Sequence, residues 1–430
     1  MRHKTWNPSH IANASDGHDY YYGKGVPNIA QSVSLHTRTE AHERVRVVTI
    51  WAHYGPYHVA RVDALEASGF DVIPYSYSKV VPTYEFFQES RPELRLINDS
   101  PTSNVNPVAS GWRTLRQLWQ DRPELILTCG YERPETLAAL LYAYITRLTG
   151  NRTATVILMM DNQLSDRRRH KLVEAAKRLY LRLFDGFCVG GSTHVDYLVD
   201  LHVDLSKICF GYNCVDNSLI ANIAARQRAS GTTSGYSNYF LTLSRLVPKK
   251  NIPLIIDAYA AYRNLLPTDQ VPWQLVVAGD GSARAHIEDR ISHHNLGSSI
   301  HLIGRVDQFD EAVRYYAFCK AFVLASNRSE QWGLVVNEAM AAGVPVLVSR
   351  QCGCSGALVK PGVNGFVFDG NSVSELVDRL LWMHQNERRI DAMGQASLAI
   401  VAEYSPLNFA KNVAGYYWAL RAPTNGSPSR

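Results

Sequence analysis

The strongest constraint in this chain is an alternation of short β-branched runs with helical apolar periods, which occurs twice and is interrupted once. Residues 45–50 read as a strand, and residues 59–65 then repeat apolar side chains at helical spacing up to the stop at Gly69. The pattern returns as strand 125–128 with helix 136–148, strand 155–160 with helix 167–184, and strand 186–189. A polar stretch at 226–238, which includes Ser230, Gly231, Thr232, Thr233, Ser234, Gly235 and Ser237, has the composition of a linker. The alternation then restarts with strands at 239–243, 273–278, 300–303, 321–325 and 346–348, separated by helices at 253–265, 283–293, 311–318 and 334–342. Strands separated by helices in this way demand parallel, doubly wound sheets. The expected fold class is therefore α/β, with two Rossmann-like domains at 44–225 and 239–403 joined by the linker. Residues 1–43 are polar, rich in His, Tyr and Ser, and without sustained period, so they read as an irregular extension. Two such sheets bind ligands at the carboxyl ends of their strands, which places the expected site in a cleft between the halves.

Composition narrows the function classes. With 44 Lys plus Arg against 39 Asp plus Glu in 430 residues, the charge of +5 is too diluted to imply nucleic-acid binding. The strongly apolar stretches at 137–145 and 155–160 fall short of the roughly 18–20 residues needed to span a bilayer. The N-terminal residues lack an apolar signal core, and the seven cysteines are odd in number and mostly in strand-like surroundings. A cytoplasmic protein without disulfides is expected. Cys352 and Cys354 have no second pair at zinc-ligand spacing, so no metal is expected.

The chemistry must come from the loops after the strands. A dinucleotide cradle needs G-x-G-x-x-G, but Gly279-Asp280-Gly281 continues to Arg284 where the third glycine belongs, and no Walker loop occurs. Glu330 follows a strand and Glu338 lies eight residues later inside a helix that begins near Gly333. The free amides at Gly333, Leu334 and Val335, with the positive end of the helix dipole, can hold a phosphate. Glu338 can accept two hydrogen bonds from a vicinal diol such as a ribose, and Glu330 can reach a second polyhydroxylated group. The structural alternative is a capped surface helix with two solvated glutamates. A basic turn, 244–251, carries Arg245 and Lys250 just before a helix, where a planar fork and a point charge could stabilise a departing diphosphate. The alternative there is an exposed basic turn. No D-x-D pair occurs to bridge a diphosphate through metal, which favours the cationic turn.

Together these residues resemble the retaining GT-B glycosyltransferases of the large glycogen-synthase-like group, family 4. The resemblance rests on Glu330 to Glu338 with the following Ala339-Met340-Ala341-Ala342-Gly343-Val344-Pro345-Val346. It also includes the Arg245/Lys250 turn, Ala278-Gly279-Asp280-Gly281, Ile303-Gly304-Arg305-Val306 and Gly362-Val363-Asn364-Gly365-Phe366, covering about 239–370. The resemblance implies that Glu338 binds the ribose, Glu330 the donor sugar hydroxyls, Arg245 and Lys250 the diphosphate, and the backbone near Arg305 and Val306 the nucleobase. Gly279, Gly304, Trp332, Gly333, Leu334 and Val335 would complete the donor site. In the first domain, the segment Gly55-Pro56-Tyr57-His58-Val59-Ala60-Arg61 looks like the glycine loop of this group, without its usual paired glycines. Gly55 would lie near the donor phosphates, and His53, Tyr54 and His58 toward the acceptor. Many members carry a cleft histidine where this chain has Asp161, which would take the catalytic position. The terminal helix at 405–421 would cross back to complete the first domain.

The implied reaction moves a sugar from a UDP- or GDP-type sugar to an acceptor hydroxyl with retention, using no metal and no further cofactor. The acceptor would be a glycan, a lipid-linked saccharide or a small molecule. Two alternatives stay open: a non-catalytic GT-B partner subunit that binds nucleotide or glycan, and a nucleotide-sugar 2-epimerase. One segment lies outside this scheme. Residues 167–184 hold Arg167, Arg168, Arg169, Lys171, Lys177, Arg178 and Arg182 against Glu174 alone, with an apolar stripe at Leu172, Ala176, Leu179 and Leu183. Such a helix packs its stripe on the sheet, lies on an anionic membrane at the inner face, or attracts a phosphorylated acceptor.

Overall fold

A computed structural model of the chain describes residues 44–78, 93–98, 105–150, 153–166, 169–231, 233–328 and 330–422. The expected extension at 1–43 lies outside these residues, as do Arg167 and Arg168 of the basic segment.

Strands β1 (Arg46–Trp51), β2 (Asp71–Ser78), β3 (Arg95–Asn98), β4 (Leu125–Cys129), β5 (Thr155–Met160), β6 (Gly186–Val189) and β7 (Ile208–Phe210) form one sheet, in the order β3-β2-β1-β4-β5-β6-β7. Strands β8 (Tyr239–Leu243), β9 (Gln274–Ala278), β10 (Ile300–Gly304), β11 (Ala321–Leu324), β12 (Val346–Ser349) and β13 (Gly365–Phe368) form the other, in the order β10-β9-β8-β11-β12-β13. Every pairing is parallel. Helices cover both faces, so the central strands read as unbroken apolar runs such as Thr155–Met160, which is buried throughout. The α/β architecture with two doubly wound sheets is thus as the alternation requires. Sequence period had not revealed β2, β3, β7 or β13. β2 carries Pro74 and two successive Tyr-Ser pairs of mixed polarity, and β3 and β7 are only four and three residues long.

On one face of the first sheet lie helices Pro107–Asp121, Pro134–Thr149, Lys171–Leu181 and Ser192–Asp200. On the other lie Pro56–Ala67 and the terminal helix Pro406–Arg421, whose Phe409, Val413 and Tyr417 share a core with Val62 and Leu65. The terminal helix is also tied by polar bonds: Tyr416 donates to the Asp185 carbonyl at 2.8 Å and Arg421 to the Thr153 carbonyl at 2.8 Å. The linker begins later than its composition suggests. Helix Asn217–Ala229 includes the first four residues of the predicted 226–238 segment. Arg226, Gln227, Arg228 and Ala229 all favour helix, and Arg228 donates to the Ala317 and Ala342 carbonyls of the second half at 3.0 and 2.7 Å. Among the described residues, no helix is long and apolar enough to cross a membrane.

Candidate active site

Both sheets reverse strand order at one point, between β1 and β4 and between β8 and β11, and the loops leaving those strands carry the candidate residues. In the second half, the turn after β8 is seated by glycine. Gly279 (φ +138°) approaches so closely that a Cβ there would fall 1.8 Å from the Ser244 carbonyl oxygen. Leu246 N–H then donates to the Asp280 carbonyl at 2.8 Å, which fixes the basic turn on the β9 turn. From this turn Lys250 is buried and its Nζ lies 2.7 Å from Glu330 Oε2; Lys249 Nζ stands at 3.7 Å. Ser326 Oγ donates to the same carboxylate oxygen at 3.0 Å. Burial opposes ionisation of Glu330, but the Lys250 and Lys249 charges outweigh it and hold its carboxyl below the usual range. Arg245 stays exposed on the same turn.

Helix Leu334–Ala341 starts at Gly333, whose φ of +106° suits glycine, and a Cβ there would meet the Leu324 side chain at 2.9 Å. The first-turn amides of Leu334 and Val335 precede any intrahelical carbonyl partner, as in every helix start. Glu338 sits one turn in and is buried. Its Oε1 accepts from the Tyr57 hydroxyl, 281 positions away on the first domain, and its Oε2 accepts from Tyr316 at 2.8 Å. Burial raises its pKa, and the two phenol bonds oppose that shift only in part. Gly304 (φ +78°) ends β10 and accepts from the Gly279 amide at 2.7 Å. The next residues leave the sheet: Arg305 is exposed and paired with Asp307 at 2.6 Å, and Val306 is half-buried.

In the first half, Pro56 opens helix Pro56–Ala67 and Gly55 caps it, its amide donating to His58 Nδ1 at 3.1 Å. That bond places the remaining imidazole proton on Nε2 of the neutral ring. Burial, and next the Arg61 charge, hold His58 well below its ordinary pKa. Gly55 has an extended φ of −132°, and a Cβ would come no nearer than 4.0 Å to His53 and His58, so the fold itself does not require glycine there. His53 is half-buried with its ring 5.1 Å from that of His58; burial, and then Arg133, lower its pKa. Asp161, at the end of β5, is pushed up to about 6 by burial and by Asp166, against the opposing charges of Arg61 and Lys249.

Two expected site residues occupy different places from those the motif suggests. Tyr54 belongs to the core beside Trp51 and His58, because helix Pro56–Ala67 turns it inward, so it forms no cleft wall. Trp332 is 2% exposed; it stands 5.6 Å from the His194 ring and 5.9 Å from Tyr404, and its indole N–H donates to Asn337 at 2.8 Å. It holds the loop between Glu330 and Glu338 in place.

Sequence reasoning missed the residues that join the halves at this point. Gln163 donates to the Glu330 carbonyl at 2.8 Å, Thr193 to the Gly353 carbonyl at 3.2 Å, and His194 Nε2 to the Gln331 carbonyl at 2.9 Å. His194 Nδ1 accepts from the Gly190 and Gly191 amides at 3.2 and 3.3 Å, and burial lowers its pKa to about 4, so it is a neutral bridge. The glycine before a helix followed three residues later by histidine, common to Gly55/His58 and Gly191/His194, was the local signal. For Tyr57 and Tyr316 no local signal named Glu338 as partner.

Residues 224–398 match the family model described as glycosyl transferases group 1. The chain is 29% identical over 184 residues to an uncharacterized glycosyltransferase of Methanocaldococcus jannaschii, covering 43% of this chain and 46% of that protein. It is 25% identical over 180 residues to the alpha-monoglucosyldiacylglycerol synthase of Acholeplasma laidlawii, covering 42% and 43%. The matches thus span under half the length of these relatives. The solved sucrose-phosphate synthase of Thermosynechococcus elongatus superposes with a TM-score of 0.66 over 88% of this chain and all of that one, at 17% identity. The fold is GT-B across both halves, and the sequence similarity to group 1 glycosyltransferases lies in the second.

Proposed function

We propose that the chain transfers a sugar from a nucleoside diphosphate sugar to an acceptor hydroxyl, with retention and without a metal on the diphosphate, as a family 4 enzyme. The observation that carries this reading is the buried Lys250–Glu330 pair in the loops after β8 and β11 together with Glu338 in the helix that follows, which meets Tyr57 of the first domain. A structural ion pair alone would not call for a second buried carboxylate eight residues on, held by hydroxyl groups from both domains.

In this reading the ribose diol takes the place of the Tyr57 hydroxyl on Glu338. Because Tyr57 belongs to the other domain, a small separation of the halves frees one carboxylate oxygen while Tyr316 keeps the other oriented. The diphosphate lies between the first-turn amides at Leu334 and Val335 and the cations of the 244–251 turn, and Arg245 comes in from the exposed side. As the bond to the sugar breaks, negative charge grows on the leaving phosphate, and Lys250 and Arg245 lower the barrier by meeting it. Glu330, kept ionised by Lys250, accepts hydrogen bonds from the donor sugar. The acceptor hydroxyl attacks from the same face and gives its proton to the departing phosphate, so no enzyme nucleophile is needed. Asp161 and His53 orient the acceptor, and His58, neutral and tied to Gly55, fixes the loop.

A thermal-shift screen against UDP, GDP, ADP and CMP, with and without EDTA, tests the reading, since a ligand of the native state raises its stability. One nucleoside diphosphate giving a selective, EDTA-insensitive shift supports it and names the donor class. A folded protein with no shift from any of them favours the non-catalytic partner instead, and a shift abolished by EDTA removes metal independence.

A further inference from the structure

We propose that the outer helical face of the first domain docks on a bilayer surface that carries anionic lipid. Packing of the basic segment's apolar stripe on the sheet is not what the fold adopts. In helix Lys171–Leu181, Glu174 is buried, and Lys177 Nζ bonds to its Oε1 at 2.9 Å and to the Tyr197 hydroxyl at 3.0 Å. The Arg169 guanidinium lies 3.7 Å from the centre of the Tyr197 ring. The polar side therefore faces inward, and Leu172, Leu179 and Leu183 face out, Leu172 at 87% exposure.

The neighbouring helices share this feature. Helix Pro134–Thr149 exposes Leu137, Leu141, Tyr144 and Leu148, which fall on a single stripe. Helix Pro107–Asp121, packed beside it, exposes Val108, Trp112 and Trp119 on another. Tyr180 donates to the Tyr131 carbonyl at 2.6 Å and joins the basic helix to the start of the same layer. Large apolar surfaces of this extent mark an interaction site.

The charge pattern selects the partner. Each of the three helices contains a single acidic residue, Asp121, Glu135 or Glu174, and all three are buried. Asp121 pairs with Arg95 at 2.6 Å, and Glu135 accepts from Ser110. Exposed on the same helices are Arg113, Arg116, Arg147 and Lys171, with Arg122 and Arg182 at their ends. Of the nearby loop acids, Asp185 is paired with Arg147 and Glu132 lies in the turn before the second helix. The fourth helix of this face, Ser192–Asp200, exposes Asp196 and Asp200, which confines the docking surface to the other three helices, where cations interleaved with leucine and tryptophan and no exposed acid fit phosphate head groups above an acyl layer. The surface is independent of the sugar-transfer reading.

The test is co-sedimentation of the full chain with phosphatidylcholine vesicles, alone or with about one third phosphatidylglycerol, at low and high salt. Two variants accompany it: Trp112→Ser with Leu148→Ser and Leu172→Ser, and Arg113→Glu with Arg116→Glu and Lys171→Glu. All six positions are exposed, and melting temperatures report their folding. The expected result is salt-sensitive binding to the anionic vesicles only, weakened about a hundredfold by the charge variant and also by the apolar one. No binding of the full chain at low salt overturns the proposal, as does equal binding by all three proteins. Vesicle binding that appears only after removal of residues 1–43 overturns it too, by making that segment the occupant. A shift from dimer to monomer in the apolar variant, without vesicle binding, assigns the face to a second copy and likewise overturns it.

Discussion

The two sheets wind in the same order through their first six strands, yet they use their surfaces in opposite ways. The second half brings ionisable groups to the cleft: Lys250, Lys249 and Glu330 in the loops after β8 and β11, and Glu338 one turn into the helix that follows. The first half meets them with groups kept neutral, His58 and His194, and with the hydroxyl of Tyr57. Apart from Asp161 at the cleft, the exposed basic residues of its helices Pro107–Asp121, Pro134–Thr149 and Lys171–Leu181 sit on the far face, among exposed leucines. The same topology thus supports a polar cleft in one domain and an amphipathic outer surface in the other, because wound sheets fix only where loops emerge, not what those loops carry.

The sharpest test of this contrast is Lys250→Ala. If the second half carries the charge chemistry, turnover falls by about a hundredfold or more, as for loss of a charge-stabilising donor; Arg245→Ala should fall similarly. A steady-state assay with near-normal rates in both would remove the diphosphate assignment. Next in size is the acid response of the neutral bridge. With His194 at about 4 in the native state against 6.5 when unfolded, the unfolded chain binds the extra proton between those values. Stability therefore rises with pH through this window and loses about 3 kcal/mol on acidification below it. His58, also held low by burial, contributes to the same acid limb, so denaturant titrations of His194→Gln should lose part of that slope; an unchanged slope would place the acid-sensitive group elsewhere.

Smaller effects probe the meeting of the halves. Tyr57→Phe removes the competitor for Glu338 and should tighten nucleoside diphosphate binding by about fivefold, a hydrogen bond's net value, measured by calorimetry. Weaker binding would mean that Tyr57 aids the nucleotide instead. Gly55→Ala should leave stability within about 0.5 kcal/mol, since the position accepts a Cβ, while raising the donor KM; an unchanged KM would make Gly55 a cap and nothing more. Finally, protonation of Asp161 below about pH 6 should depress kcat/KM on the acid side. Asp161→Asn should lower the rate and abolish that limb, and a wild-type-like profile would sink its role in the cleft.

The alternation of 45–50 with 59–65 and its repeats was enough to predict two wound sheets, because strand and helix periods are local properties of side-chain order. The Glu330–Glu338 spacing, the Gly333 helix start and the basic turn were equally legible, since each is a short segment whose backbone geometry follows from its own residues. What only the tertiary structure decided were the meetings between distant segments. Tyr57 on Glu338, Gln163 on the Glu330 carbonyl and the inward turn of Glu174 and Lys177 depend on which surfaces the two sheets present to their neighbours. An amphipathic pattern states that a helix has two sides, but burial of a satisfied ion pair beside Tyr197 determined which side faces the core.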